Sequence, residues 1–407
     1  MRAVHSSRAV CGHRTEQNAA EVVVILGFVT TNGAPAPLHH CRSHACGRVR
    51  TPSDKYSHRL GDIRYPLVST IGCITLRCPQ APSQPFRFHT PLATMVHMFG
   101  YLDTRPSHRL FLTGDAGEHG VTEWDLRQRS SVRTISHGIR ADDLQTVWRK
   151  VPSWADEQWE AESEALRALE LRYPLIAASH SSAARLFGLP LPRRLTDGPL
   201  HVCSDDRDLR IRRSSVVLHR VADFSTVSIL GHTLVSPSVL FLQLATILDR
   251  DELVRVGDAM IGRWHGPPLC TLEELVAHLR SRASIRRRRV AESGLELVRP
   301  GVDSPRETDL RLWAISVGLP EPEVHPAVFC RQLGVEIHPD LGYRRALLGL
   351  EYEGDHHRTD RTQWDEDIRR VNALNAEGWL IIRVNSRTDM VQLEFAIRQR
   401  LTQKGLL

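Results

Sequence analysis

No apolar run in this chain of 407 residues reaches the ~18 that a bilayer-spanning helix requires, so a transmembrane helix is not expected. The longest apolar stretch near the start, Val22 to Val29, is followed by Ala34-Pro35-Ala36. Glu16 and Glu21 nonetheless stand where a secretion signal carries only positive charge, which argues against export. The protein therefore reads as cytoplasmic, with no membrane partner. A disulfide framework is missing as well. Of eight cysteines, Cys11, Cys41, Cys46, Cys73 and Cys78 crowd into the beginning, while Cys203, Cys270 and Cys330 are scattered singly. Lysine is scarce beside arginine. With a net charge of +6, that bias suits bidentate phosphate contacts and a polyanionic partner, although Arg-rich codon usage would produce it too.

Apolar residues at 41% and charged residues at 25% supply an ordinary globular core, and the length allows two or three domains of ~100 to 200 residues each. Residues 1–94 look foreign to the rest. They are rich in Ser, Arg, His, Cys and Pro, and no periodicity persists beyond the short run from Glu21 to Phe28. His39, His40, Cys41, His44 and Cys46 have the chemistry of zinc ligands, but their spacing fits no two-plus-two knuckle, and four residues separate Cys73 from Cys78. Zinc is not expected there. The composition is what an over-extended translation start gives, with the working chain beginning near Met95 or Met98 and the leader unstructured.

In residues 95–150, Ala116, Gly120 and Leu126 stand where a helix-turn-helix needs a small residue, a turn glycine and an apolar residue in its second helix. This predicts a degenerate helix-turn-helix or winged-helix unit, with Arg127, Arg129, Arg133 and Arg140 within reach of phosphates; any small three-helix unit would show the same offsets. Residues 151–300 read as mixed α/β. A helix is expected over Ala161 to Leu171, strands at Leu200 to Cys203 and Val216 to Arg220, and helices over Pro237 to Leu248 and Leu253 to Ile261. A further helix opens at the Thr271/Glu274 capping box. Arg280, Arg282, Arg286, Arg287, Arg288 and Arg289 then concentrate positive charge, either as a phosphate-binding face or as a solvated helix surface.

The segment Ser179-His180-Ser181-Ser182-Ala183-Ala184-Arg185-Leu186-Phe187-Gly188-Leu189-Pro190 resembles the AbiEi family of type IV antitoxins, and the likeness extends from about Phe111 to Ile261. It implies DNA binding at a promoter and a cognate toxin as a possible partner.

Residues 301–407 carry the chemistry. Ser304-Pro305-Arg306-Glu307 opens a helix, with Leu310, Trp313, Ala314 and Val317 on one face and Gly318 at its end. Strands are expected around Val324 to Phe329 and Val335 to Ile337, and a central strand over Ala346 to Gly354. Alternation along that strand puts Glu351 and Glu353 on one face. Carboxylates so close must be solvated, protonated or bridged by a cation; a hard divalent ion would serve, with Asp340 as third ligand. His356 and His357 follow, positioned to bind an oxygen or relay a proton. A helix from Gln363 to Glu377, with Trp364, Ile368, Val371 and Leu374 towards the sheet, leads to a strand at Trp379 to Val384 and a last helix through Met390, Leu393, Ile397 and Leu401.

Ser304-Pro305-x-Glu307, Pro339-Asp340, Glu351-Tyr352-Glu353-Gly354-Asp355-His356-His357, Asp367-x-x-Arg370 and Gly378-Trp379-Leu380-Ile381-Ile382-Arg383-Val384 together resemble the PD-(D/E)XK nuclease fold, in particular the very-short-patch-repair (Vsr)-like endonuclease domains. The resemblance implies an α/β domain with a central mixed sheet flanked by helices. In it Asp340 and Glu351 hold Mg²⁺, Glu307 supports the metal or its water, and His357 is a catalytic histidine. Glu353 stands where that family has lysine. Removing one such electrostatic group typically costs ~10² to 10³ in rate. The bland alternatives are a capping box for Glu307, a turn for Asp340 and a local pair for Asp367 and Arg370. The sequence thus predicts a multidomain α/β, DNA-binding, Mg²⁺-dependent endonuclease-like protein. Its rival is an AbiEi-like regulator whose nuclease fold is inactive.

Overall fold

The computed structural model describes residues 8–10, 23–25, 101–353 and 361–407, within two compact units, Met1–Gln80 and Ala81–Leu407. In the first unit, β1 (Arg8–Val10) pairs antiparallel with β2 (Val23–Ile25). The candidate zinc ligands and the Met95/Met98 start lie outside the described residues, as do His356 and His357. Among the described residues no helix is long and apolar enough to cross a membrane.

The second unit is mixed α/β and begins with more sheet than the helix-turn-helix spacing predicts. Strands β3 (Leu102–Leu112), β4 (Val132–Ser136) and β5 (Ile139–Pro152) form an antiparallel sheet in the order β3-β5-β4. Ala116 lies in a 3₁₀ turn (Thr113–His119) that Gly120 ends, and Leu126 in a six-residue helix α1 (Glu123–Gln128). The flexible Gly114 and Gly117 disfavour a full α-helix in the first of these. Phe111, Ala116, Val121 and Val132 make its small core, with Leu126 against them.

The middle region is a five-stranded sheet in the order β8-β7-β6-β10-β9. Its strands are β6 (Ala177–Ala178), β7 (Leu200–Ser204), β8 (Val216–Arg220), β9 (Thr226–Ile229) and β10 (His232–Val235). Helices α2 (Glu157–Arg172), α3 (His180–Leu186), α4 (Pro237–Leu244), α5 (Arg250–Ile261), α6 (Leu272–Ser281) and α7 (Arg288–Leu295) accompany it. Capping decides several starts: Asp156, Asp249 and Thr271 each accept the N–H three residues on. A buried polar chain ties α2 to β10. Ser163 Oγ meets His232 Nε2 at 2.8 Å, and His232 Nδ1 meets Glu170 Oε2 at 3.0 Å.

Gly188, in the Gly-Leu-Pro stop after α3, has φ +72°, and a Cβ there would lie 2.6 Å from Trp154 and 2.8 Å from His265, two rings stacked at 4.5 Å. Gly188→Ala combines left-handed strain with overpacking and is expected to cost roughly 2 to 4 kcal/mol, read as a fall in the urea midpoint at constant slope. A loss below about 1 kcal/mol would show that the ring stack yields freely.

Helix α8 (Pro305–Ser316) is shared between two cores: Leu312 packs with the middle region, Leu310 and Ala314 with the C-terminal one. Arg311 on α8 and Asp258 on α5 are both fully buried and 2.8 Å apart. The remaining strands are β11 (Glu323–Val324), β12 (Val328–Cys330), β13 (Val335–Ile337), β14 (Leu341–Tyr343), β15 (Leu348–Tyr352) and β16 (Leu380–Val384); the helices are α9 (Arg361–Ala376) and α10 (Met390–Gln403). The sheet order is β11-β14-β15-β16, with β15 and β16 parallel and the other neighbours antiparallel. Leu348 and Leu350 face α8 and α10. The opposite face belongs to α9 and the β12–β13 hairpin, packed through Ala373, Leu374, Trp379, Val328 and Ile337. Leu374 is buried as the helical period predicts, whereas Ile368, expected against the sheet, is exposed. Gly349 is needed because Pro339 and Ile381 cross directly over it: a Cβ would lie 2.7 Å from Ile381 Cδ1.

Candidate metal centre

The register of β14 on β15 pairs Leu341 with Leu350, so the next residues outward, Asp340 and Glu351, stand opposite each other. Alternation puts Asp340, Glu351 and Glu353 on the α9 face, and β16 adds Arg383, directly beside Glu351. The register sets Asp340 opposite Glu351, but the ligand atoms that gather within 4.8 Å are those of Asp340, Glu307 and His325, and neither Glu351 nor Glu353 is among them.

Glu307 arrives from the first turn of α8. Ser304 caps that helix through its hydroxyl, but the Glu307 carboxylate passes over the N-cap residue and accepts the N–H of Asp303 at 3.0 Å, so the reciprocal capping box is not closed. Its Oε2 also lies 3.3 Å from His325 Nε2. His325 is a residue that the sequence did not single out. It follows β11 with φ +46°, donates its backbone N–H to the Asp340 carbonyl, and places its Nδ1 3.7 Å from Asp303. One ligand atom each from Glu307, His325 and Asp340 lies within 4.8 Å of the others. The geometric centre is therefore nearer α8 than an Asp340/Glu351 pair alone implies.

The electrostatics fit a missing positive charge. Burial pushes the Asp340 carboxyl up to about 6; the Tyr352 N–H at 2.7 Å and His325 oppose this, while Glu307 and Glu351 add to it. Glu351 is likewise raised by burial, against Arg370 and Arg383 and with help from Asp367 and Glu353. His325 is raised chiefly by its hydrogen bond to Glu307. One Glu351 oxygen, Oε1, is buried without a hydrogen-bond partner, its nearest cation being Arg370 Nε at 3.5 Å. That oxygen keeps the Arg370 ion pair but no hydrogen bond, and carboxylate oxygens of this kind are ligands a hard divalent cation accepts. The donor set of carboxylates plus one imidazole fits Mg²⁺ or Mn²⁺.

Glu353 is occupied differently. Arg383 Nη1 donates to it at 2.5 Å, and the pair is partly exposed. Arg370 does not pair locally with Asp367 but spans from Glu351 to the His338 carbonyl.

The candidate DNA-binding arginines divide into engaged and free. Arg129 faces buried Asp142 at 3.7 Å, and Arg127 makes an exposed i, i+4 pair with Glu123. Arg133 is bound by Asp143 and Glu164, and Arg140 by Thr134. Arg287, left-handed at φ +57°, caps the Leu248 carbonyl, and Arg288 pairs with Glu292. Arg286 and Arg289 are exposed and without a charged partner among the described residues.

No family model and no curated protein matches this chain. Among solved structures it is similar to the crystal structure of the RV2827C protein from Mycobacterium tuberculosis. That alignment covers 56% of this chain and 85% of the other at 15% identity and a TM-score of 0.30, too loose to carry fold or function across.

Proposed function

We propose that residues 301–407 form a divalent-metal-dependent, endonuclease-like domain acting on DNA in the cytoplasm. The observation that carries this reading is the convergence of Glu307, His325 and Asp340 within 4.8 Å, with Glu351 opposite Asp340 across the β14–β15 register. Asp340 and Glu351 would hold Mg²⁺ or Mn²⁺, with Glu307 and His325 completing the set. Such an ion polarises a phosphoryl oxygen and supplies hydroxide near neutral pH.

The chain's own groups have separate tasks. Without the ion His325, protonated more readily than a free imidazole because of Glu307, balances the acidic cluster; to ligate the ion it would give up that proton. Arg370, 3.5 Å from Glu351, offers the positive charge that the lysine position, here Glu353, does not. Exposed Arg286 and Arg289 provide phosphate contacts.

The test is relaxation of supercoiled plasmid with Mg²⁺ or Mn²⁺, wild type against Glu351→Ala. Loss of nicking in the variant supports the reading, and equal activity in both removes it.

A second reading rests on Glu353 being tied to Arg383 in place of a free lysine: an AbiEi-like regulator, with DNA and a cognate toxin as partners, whose nuclease fold only binds. It requires EDTA-resistant, salt-dependent DNA binding with no strand cleavage.

A further inference from the structure

A second group of side chains, in the middle region and unconnected with the acidic cluster, brings three histidines together from three elements. His180 is the first residue of α3, His201 lies on β7 and His219 on β8. The parallel register pairs His201 with Val217 and Cys203 with His219, so His201 and His219 are diagonal neighbours on one face of the sheet. His201 Nδ1 and His219 Nε2 are 2.9 Å apart. The His180 ring stacks on that of His219, with centroids 3.8 Å apart and planes 20° from parallel. One nitrogen from each of the three lies within 4.8 Å of the others.

The backbone goes out of its way to make this arrangement. His180 has φ +48°, a left-handed conformation that non-glycine residues rarely adopt. Its N–H is held by Gln243 Oε1 at 3.1 Å, and the His201 N–H is held by Ser182 Oγ at 2.8 Å. Two of the rings are therefore fixed at their backbones by partners from α4 and α3.

We propose that His180, His201 and His219 form a three-histidine Zn²⁺ site. Among the described residues none of the three pairs with a carboxylate, so the cluster is not a set of imidazolium ion pairs. Three imidazole nitrogens lying within 4.8 Å of one another are the ligand atoms this site offers. Zinc accepts such nitrogens at ~2.0 to 2.1 Å, which sets two of them about 3.3 Å apart around a tetrahedral centre; binding therefore opens the 2.9 Å His201–His219 hydrogen bond and turns the His180 ring out of its stack on His219, so that each lone pair, which lies in its ring plane, meets the ion. An all-nitrogen set favours Zn²⁺ over the oxygen-seeking Mg²⁺ of the other centre. Cys203 is not among the ligand atoms that gather with the three histidines. His201 and His219 are only half-buried, so the fourth position opens to solvent, as it does where three protein ligands hold zinc and water or a substrate takes the remaining place.

The experiment is equilibrium dialysis of the full chain against ZnCl₂ with elemental analysis, paired with Co²⁺ titration followed by visible absorption. His219→Gln should retain one equivalent of zinc fewer than wild type and bind it at least about 100-fold more weakly, since even outer-sphere changes cost 10 to 100-fold. Asp340→Asn should keep this equivalent, which separates the site from the acidic centre. Wild-type protein should give the intense absorption of four-coordinate Co²⁺, a readout that does not depend on whether the histidine variant folds. Equal zinc retention in wild type and His219→Gln, or a wild-type chain that gives no four-coordinate Co²⁺ spectrum, overturns the proposal.

Discussion

Arg311→Ala is expected to cost the folded chain roughly 3 to 5 kcal/mol, seen as a large fall in the denaturant midpoint. Arg311 and Asp258 are both fully buried, and they join α8 to α5. Asp258 accepts from Arg311 at 2.8 Å, from the Thr308 hydroxyl at 2.9 Å and from the Arg299 N–H at 2.7 Å, while Arg311 reaches on to Glu321 at 3.0 Å. Removing the guanidinium strands a carboxylate away from water. Burial already raises the Asp258 carboxyl, with Arg311 the first group opposing it, so the variant's carboxyl is raised further. A folded-state carboxyl raised above its unfolded value loses stability as pH rises between the two values. The deficit of Arg311→Ala should therefore be largest at neutral pH and shrink as pH falls below ~4, where the carboxyl becomes protonated in the unfolded state too. Replacing both partners, Asp258→Leu with Arg311→Met, should recover much of the loss, because a buried pair is expensive to break and cheap to replace by packing. A deficit for Arg311→Ala below about 1 kcal/mol at pH 7 would mean that α8 is not anchored through this pair.

Glu351→Ala should reduce metal-dependent plasmid nicking by ~10² to 10³-fold or more, the loss typical of removing one electrostatic group from an active site. Stability should not follow activity. Burial and the nearby Asp367 and Glu353 already disfavour the Glu351 charge, and its Oε1 makes no hydrogen bond. Truncation leaves Arg370 with the His338 carbonyl at 2.5 Å and relieves repulsion with Asp340. A collapse of nicking with a melting temperature within a few degrees of wild type marks a catalytic role. Parallel loss of both would mark a merely structural one.

What the sequence made legible is what local chemistry determines. Ser304 and Thr271 announce helix starts through side chains that reach three residues along. Alternation from Leu348 to Glu353 divides the core-facing leucines from the acidic edge without reference to the rest of the fold. What stayed hidden depends on chain crossings. His325 acquires its place only when the turn after β11 comes against Glu307 and Asp340, and nothing near Pro326 signals it. The Arg129 and Arg133 side chains looked available for phosphate because their partners Asp142 and Asp143 lie on the next strand, in a register shifted by irregularities along β5. The long strands β3 and β5 were missed beneath the helix-turn-helix offsets, since Arg, His and Pro interrupt the apolar alternation in Leu102–Leu112. The three histidines are separated by many residues and meet only in the assembled sheet.

The most direct test of the acidic centre is the melting temperature of the full chain as Mg²⁺ or Mn²⁺ is raised, at pH 7.5 and pH 5, for wild type and Asp340→Asn. Asp340 is raised to about 6, so the metal-free wild type loses stability as pH climbs from ~4 through 6. Asparagine keeps an acceptor for the Tyr352 N–H without the charge, and the metal-free variant should melt above wild type at pH 7.5. Divalent ion should raise the wild-type melting temperature steadily at pH 7.5 and much less at pH 5, where protons compete for Asp340, and should leave Asp340→Asn unmoved. A wild type whose melting ignores the ion, or an Asp340→Asn protein that responds as strongly as wild type, would contradict a metal centre at Glu307, His325, Asp340 and Glu351.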